Sequence, residues 1–467
     1  MKLFVKESIL YSTGQVLTRL ASFILVPFFT YVFSPKEVGH IYLFYSTLTF
    51  MNIFNNHGLD SALFKYLSKS RWEKNDLVKS LFLYQLVFLS IFCLIIILFS
   101  NQISKLVFKN SNNQWVHVLG LISIFDSLSY RGMVMLRLHS KAILYILISL
   151  GNIIVTIIAI YYFVIYKQNG VFGVYCGVLV ASLLQLKVVF FTSYFPHIKG
   201  KFSFKIIKEM LRFGLPFFPA GILFLVIEIS DRYFILWQFG QAQVGFYSIA
   251  YKIGSIPLML ISGLNLAWQP FYTKRFNNEP TRKLFGEIGT LVLFGFIIFL
   301  TIISIWLPLL ITYGLIDSQY TFALKIIPII FLSYLFYAWY IMQVPSIYLN
   351  DKQNWIPLFM LFSATVNIVL NFILIPTYDI YGASISTLFA YLSMGCFIYF
   401  KNITWMMIPI KYSELLLLLV SSILLYTLSL YCTTVGRVLV LLFYLLLSYI
   451  IFLKIISLKD LKKKILI

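Results

Sequence analysis

Apolar stretches of about 20 residues recur from one end of this chain to the other, divided by short polar connections. A helix needs about that length of apolar sequence to cross hydrocarbon. The pattern therefore predicts one all-α integral membrane protein. Fourteen spans are expected, over residues 9–33, 39–63, 80–100, 115–136, 142–165, 170–193, 213–236, 244–268, 286–313, 321–346, 355–376, 381–400, 413–432 and 436–456. The connections 314–320 and 377–380 are so short that they join antiparallel hairpins.

Polar positions within the spans are also patterned. Ser8, Ser12, Gln15, Arg19 and Ser22 recur at steps of four and three, along one face of the first span. Tyr42, Ser46, Thr49 and Asn56 run toward Asp60 in the second, and Ser248, Lys252, Ser255 and Ser262 form a stripe in the eighth. Hydroxyls alone also serve as glue between helices; an embedded Arg19 or Lys252 favours a stripe that faces a polar lumen.

The pattern repeats. Val38-Gly39-His40-Ile41-Tyr42 resembles Val244-Gly245-Phe246-Tyr247 at an offset of 206, and Asn152 to Gly173 resembles Asn367 to Gly382 at offsets of 215 and 209. Two parallel six-helix repeats follow: an N-terminal lobe at 1–212, a C-terminal lobe at 213–411, and two additional spans with a basic tail at 412–467. Prolines 27, 216, 219, 257, 308, 328 and 345 interrupt spans and permit kinks.

Composition agrees with a membrane protein: 60% hydrophobic residues, 11% charged and a mean hydropathy of +0.90, against about 25% charged in soluble domains. With the N-terminus inside, cytoplasmic segments hold 26 of the 37 Lys and Arg residues, outside segments hold 5, and 6 lie within spans. That asymmetry puts both termini in the cytoplasm. It also assigns the +21 net charge to topology and to anionic headgroups, not to nucleic acid. Cys93, Cys176, Cys396 and Cys432 have spacings that suit neither zinc nor a disulfide framework. The first span carries Arg19, lacks a small-residue cleavage site and reads as retained.

A charge at mid-bilayer costs about 2.5–3.5 kcal/mol on insertion scales, so such residues face a bundle interior or a watery path. Arg19, Arg131, Arg232 and Lys252 are the candidates for a cationic substrate site. Arg19 lies far from either end of its span; a diphosphate suits its guanidinium, and an interhelix salt bridge is the alternative. Asp126 and Arg131 are five residues apart, about 140° around a helix. Glu228 and Arg232 have the spacing of an i, i+4 ion pair, with Asp231 one turn from Glu228. Asp126, Glu228, Asp231 and Asp60 are the candidates for coupling to H⁺ or Na⁺; Asp60, near Lys65, also suits a helix-end role. Lys187 and Lys325 lie within snorkelling reach of an interface. His57 and His117 read as structural. Neither a metal cluster, a catalytic triad nor a phosphate-binding glycine loop is present in the sequence.

Ser230-Asp231-Arg232-Tyr233-Phe234-Ile235, followed by Val244 to Lys252, resembles the polysaccharide flippases of the Wzx type. Gly14 to Pro27 leading to Gly39 and Tyr42, Gly58-Leu59-Asp60-Ser61-Ala62, and Asn371 to Pro376 followed by Tyr381 to Thr387 resemble the same family, in order along most of the chain. The resemblance implies the multidrug/oligosaccharidyl-lipid/polysaccharide exporter superfamily: two six-helix lobes facing each other as a V, commonly with two extra helices. It implies transport of an undecaprenyl-diphosphate-linked oligosaccharide to the periplasmic leaflet of a bacterial inner membrane. Membrane lipids are the expected surroundings, and a polysaccharide polymerase with its chain-length machinery the expected neighbours; no enzymatic cofactor is implied. Tyr378-Asp379-Ile380-Tyr381 stands where the family often has a glycine in the turn. The alternatives are a multidrug exporter or a lipid II flippase of the same superfamily. A membrane glycan polymerase is disfavoured by the short outside loops.

Overall fold

The computed structural model describes residues 23–68, 72–109, 113–138, 141–273 and 275–455. These are helical, with short 3₁₀ and π segments, and no strand occurs among the described residues. The chain divides into two compact units, Met1–Ser248 and Ile249–Ile467. The first contains α1 (Leu25–Val32), α2 (Pro35–Asn56), α3 (Leu59–Ser68), α4 (Lys74–Leu98), α5 (Ser100–Phe108), α6 (Gln114–Leu138), α7 (Ala142–Tyr161), α8 (Gly170–Val189), α9 (Phe204–Gly214), α10 (Phe218–Phe239) and most of α11 (Gln241–Gly254). The second contains the end of α11, then α12 (Ile256–Thr273), α13 (Glu279–Trp306), α14 (Leu309–Thr312), α15 (Thr321–Leu324), α16 (Ile327–Gln343), α17 (Pro345–Leu349), α18 (Ile356–Trp405), α19 (Tyr412–Ser429) and α20 (Thr434–Ile455).

Eleven helical runs among the described residues are long and apolar enough to cross a membrane. One of them, Gln353–Trp405, holds two of the expected spans, because the chain turns at Asp379 (φ 51°) within α18. Ser363 Oγ donates to the Ala390 carbonyl at 2.6 Å, and a Cβ on Gly382 would sit 2.3 Å from the Leu374 carbonyl oxygen. Those contacts pair the two arms antiparallel, as the short 377–380 connection requires. The α7–α8 hairpin has the same design. Gln168 and Gly170 take positive φ at its turn, Gly173 packs on the backbone of Phe163 and Val164, and Asn152 Nδ2 donates to the Ala181 carbonyl at 3.2 Å. The repeat read from the sequence is thus visible as one hairpin built twice.

Several expected spans are broken. Span 39–63 divides into α2 and α3 at His57 (φ 31°) and Gly58 (φ 80°), where the chain leaves helical geometry. Span 244–268 divides near Ser255, ahead of Pro257, and span 321–346 divides ahead of Pro328 and Pro345. Each of these prolines stands in the first turn of the new segment, where its missing N–H costs nothing.

Two close backbone contacts organise the first unit. A Cβ on Gly39 of α2 would lie 1.8 Å from the Gln241 carbonyl oxygen, and one on Gly245 of α11 would lie 2.0 Å from that of Pro35. These are the glycines that match at the offset of 206, so the repeat-related helices meet at their equivalent positions. Further along α2, Thr47 Oγ1 and the Tyr233 hydroxyl of α10 are hydrogen-bonded at 2.8 Å. At the far end, α9 lays Ile206 and Met210 on a core with Leu63, Leu77, Leu81 and Met133, leaving Lys205, Lys208 and Arg212 exposed. Trp72 Nε1 holds this helix by donating to Glu209 at 3.2 Å.

Candidate functional site

A polar seam runs through the first unit where α2, α6 and α8 meet. The second half of α2 contributes Asn52, Asn55 and Asn56, and α6 contributes Ser123, Asp126, Ser127 and Arg131. Asp126 Oδ1 accepts from Ser182 Oγ of α8 at 2.6 Å, and Oδ2 accepts from Asn52 Nδ2 at 3.3 Å. One turn along, Asn55 Nδ2 donates to Ser123 Oγ at 2.7 Å. One carboxylate thereby ties three helices together through neutral donors.

Arg131 has a different task. Its side chain is 0% exposed. Nη2 donates to the carbonyls of Asn55 at 2.8 Å and Asn56 at 3.3 Å, and Nη1 donates to that of Ser127 at 3.0 Å. With the Gln85 amide turned so that its oxygen faces the guanidinium, that oxygen accepts from Nε at 2.8 Å. The last carbonyls of a helix have no partner within it and carry partial negative charge. Arg131 is thus the cap that allows α2 to end inside the bundle. His57 completes the break: its backbone is left-handed and its ring Nε2 lies 3.1 Å from the Tyr84 hydroxyl. Sequence reading paired neither residue with its partner, although three asparagines in the five residues from 52 to 56 of an apolar helix are a visible signal.

A second group lies on α10 and α11. Asp231 is fully buried, and its Oδ2 accepts from the Tyr247 hydroxyl at 2.6 Å. Arg232 Nη1 donates to the backbone carbonyl of Glu228 at 2.7 Å, and its guanidinium lies 5.8 Å from the centre of the Tyr247 ring. The expected side-chain pair thus has a backbone component. Tyr247 joins Asp231 and Arg232 into one cluster, a link that the i, i+4 spacing does not reveal. Glu228 is half-buried.

The remaining candidates are dispersed. Arg19 lies outside the described residues. Asp60 sits in the first turn of α3, where its Oδ1 accepts from the backbone N–H of Ser61 at 2.9 Å. Lys252 is half-buried, in the part of α11 that belongs to the second unit. Lys187 and Lys325 are exposed. The stripe hydroxyls of Ser46, Thr49, Ser255 and Ser262 donate to carbonyls of their own helices. Near the start of α2, buried His40 stacks on Phe108, meets Trp115 edge-on and bonds the Tyr175 hydroxyl; sequence reading had not singled it out.

The second unit carries an apolar pocket of about 510 Å³ between α13, α16, α18 and α19. Leu293, Phe336, Trp339, Cys396, Tyr399 and Leu416 are among its walls.

A buried polar seam thus lies inside an apolar helical bundle, and comparison with known proteins places the chain in a family. Residues 4–276 match the model of the family described as polysaccharide biosynthesis protein. The chain belongs to that family. A protein of the Lsg locus of Haemophilus influenzae is 23% identical over 307 residues, 64% of this chain and 72% of the relative. Among solved structures, the lipid II flippase MurJ in its inward closed conformation aligns with a TM-score of 0.79 at 17% identity, over 96% of this chain and 99% of that one. An inward-facing multidrug resistance MATE transporter of the MOP superfamily aligns at 0.66 and 14%, over 85% and 97%. This polysaccharide biosynthesis family member therefore has the all-α fold of the MOP transporters and is a multi-pass membrane protein.

Proposed function

We propose that the protein is a flippase that carries an undecaprenyl-diphosphate-linked oligosaccharide from the cytoplasmic to the periplasmic leaflet by alternating access. The observation that carries this reading is the polysaccharide-biosynthesis family match over residues 4–276. The likeness of fold to a flippase of a lipid-linked substrate supports it. In this mechanism the sugar-diphosphate headgroup enters from the cytoplasm. Arg19 offsets the diphosphate charge in a low-dielectric path. The polyprenyl tail stays in hydrocarbon; the apolar pocket beside α19 has the size and lining to hold a segment of it. Arg131 is left out of the substrate site, because its donors go to carbonyls and an amide oxygen of the protein.

Deletion of the gene, followed by analysis of surface polysaccharide and of lipid-linked intermediates, tests the proposal. Loss of polymer with undecaprenyl-linked repeat units held on the cytoplasmic face is the expected result. Accumulated lipid II would move the substrate to that of MurJ. Intact polysaccharide with altered sensitivity to cationic drugs would replace the proposal with an exporter.

A further inference from the structure

Asp126 is an unusual carboxylate for its place. It lies midway along α6, a run long and apolar enough to span the membrane. No basic group lies within ion-pair distance of it among the described residues. Its hydrogen-bond partners, Ser182 and Asn52, are both neutral. The Asn52 amide is half used: its Oδ1 is buried and has no hydrogen-bond partner among the described residues.

These three side chains can satisfy either protonation state. With Asp126 ionised, Ser182 Oγ–H and Asn52 Nδ2–H donate to it, as observed. With Asp126 protonated, its O–H has an acceptor in Asn52 Oδ1 once the amide turns over, since an amide offers both a donor and an acceptor. A metal cation is served less well. Hard cations collect about six oxygens or more, and here Asp126 offers two and Ser182 and Asn52 one each.

The surroundings leave the carboxyl free to respond. Tyr45 is a titratable group of α2 on which Asp126 acts. On α6 itself, Tyr130 is one turn away and Arg131 is turned onto the end of α2. Asp60 of α3 acts on Tyr130 and Arg131, Tyr84 of α4 on Arg131, and Tyr145 of α7 on Tyr130. Lys187 of α8 is exposed, more than one turn beyond Ser182.

We propose that Asp126 is a proton site that sets the grip of α6 on α2 and α8. This deepens the transporter reading above and rests on it. The ionised carboxylate makes charge-assisted bonds to both neighbouring helices, about twice as strong as neutral ones. A proton taken from water removes that charge and loosens the hold on Asn52 and Ser182; its return to water restores it. The inner end of α2 stays pinned by Arg131 at the Asn55 and Asn56 carbonyls, so the loosened part is the stretch of α2 ahead of that cap, including Asn52, and α3 is not moved.

Infrared difference spectroscopy of the purified full-length protein in lipid nanodiscs, titrated with acid and base, tests the site without any substrate. The expected result is a carboxylic-acid carbonyl band that fades as pH rises, is missing in Asp126→Asn, and is unmoved by Na⁺ at fixed pH. Asn52→Leu and Ser182→Ala each remove one partner and should change the band's frequency while the fold persists. Identical titrations in wild type and Asp126→Asn would overturn the proposal. So would a band that Na⁺ abolishes at constant pH, which would assign a metal cation instead. The gene deletion reports on substrate and this titration on the proton, so failure of one is distinguishable from failure of the other.

Discussion

Asp126 and Arg131 show how little a residue's identity says about its duty inside a membrane. Both are ionisable, both stand on α6, and the sequence placed both within a span. Their 140° separation sends one toward Asn52 and Ser182 and the other onto the open end of α2. The cost of burying a charge was legible; the partner that offsets it was not, because partners come from tertiary packing. The cap makes a direct prediction. Arg131→Ala leaves carbonyls of α2 without donors in a buried setting and should lower stability by roughly 2–4 kcal/mol, seen as a lower thermal midpoint in detergent and less folded protein in the membrane. Arg131→Lys should recover only part of this, since an ammonium cannot span the same set of oxygens. An Arg131→Ala protein of normal stability that fails only in glycan assembly would return Arg131 to the substrate path.

At the scale of elements, hairpins were the most legible feature and helix breaks the least. A four-residue connection between two long apolar runs leaves the chain no choice but to reverse. The His57–Gly58 break has no comparable signature, because it depends on Arg131, 74 residues away from His57. The prolines were visible, and they mark the starts of helical segments more than bends within them. The turn in α18 centres on Asp379, where the family often has a glycine. Its φ of 51° with ψ of −130° is a conformation that glycine adopts freely and other residues rarely do. Asp379→Gly should therefore stabilise the protein by about 1 kcal/mol, measured as a rise in thermal midpoint with glycan assembly unchanged. The contact between α2 and α11 makes the opposite prediction. Gly39→Val puts a side chain where the Gln241 carbonyl already lies, so the thermal midpoint should fall by several degrees and glycan assembly should be lost.

For the molecule as a whole, hydropathy and the 206-residue offset were enough to indicate an all-α membrane protein built on a repeat, and the MurJ and MATE folds agree with the all-α class. Substrate chemistry was less legible, since a lumen is shaped by helices from distant parts of the chain. Arg19 carries the proposed diphosphate contact. Arg19→Ala should abolish surface-glycan assembly while the protein still reaches the membrane in normal amount, scored by immunoblotting of membranes beside glycan analysis. Unchanged glycan would remove Arg19 from the mechanism.

The paired glycines have a genetic corollary. Gly39 and Gly245 are each confronted by main chain, not by a side chain that mutation could trim. A selection for suppressors of Gly39→Val should therefore return true revertants, or changes in the loops that re-seat α2, and no compensating substitution at Gln241. Two positions in direct contact would then evolve without covariation, and sequence comparisons that search for correlated pairs would pass over this close junction.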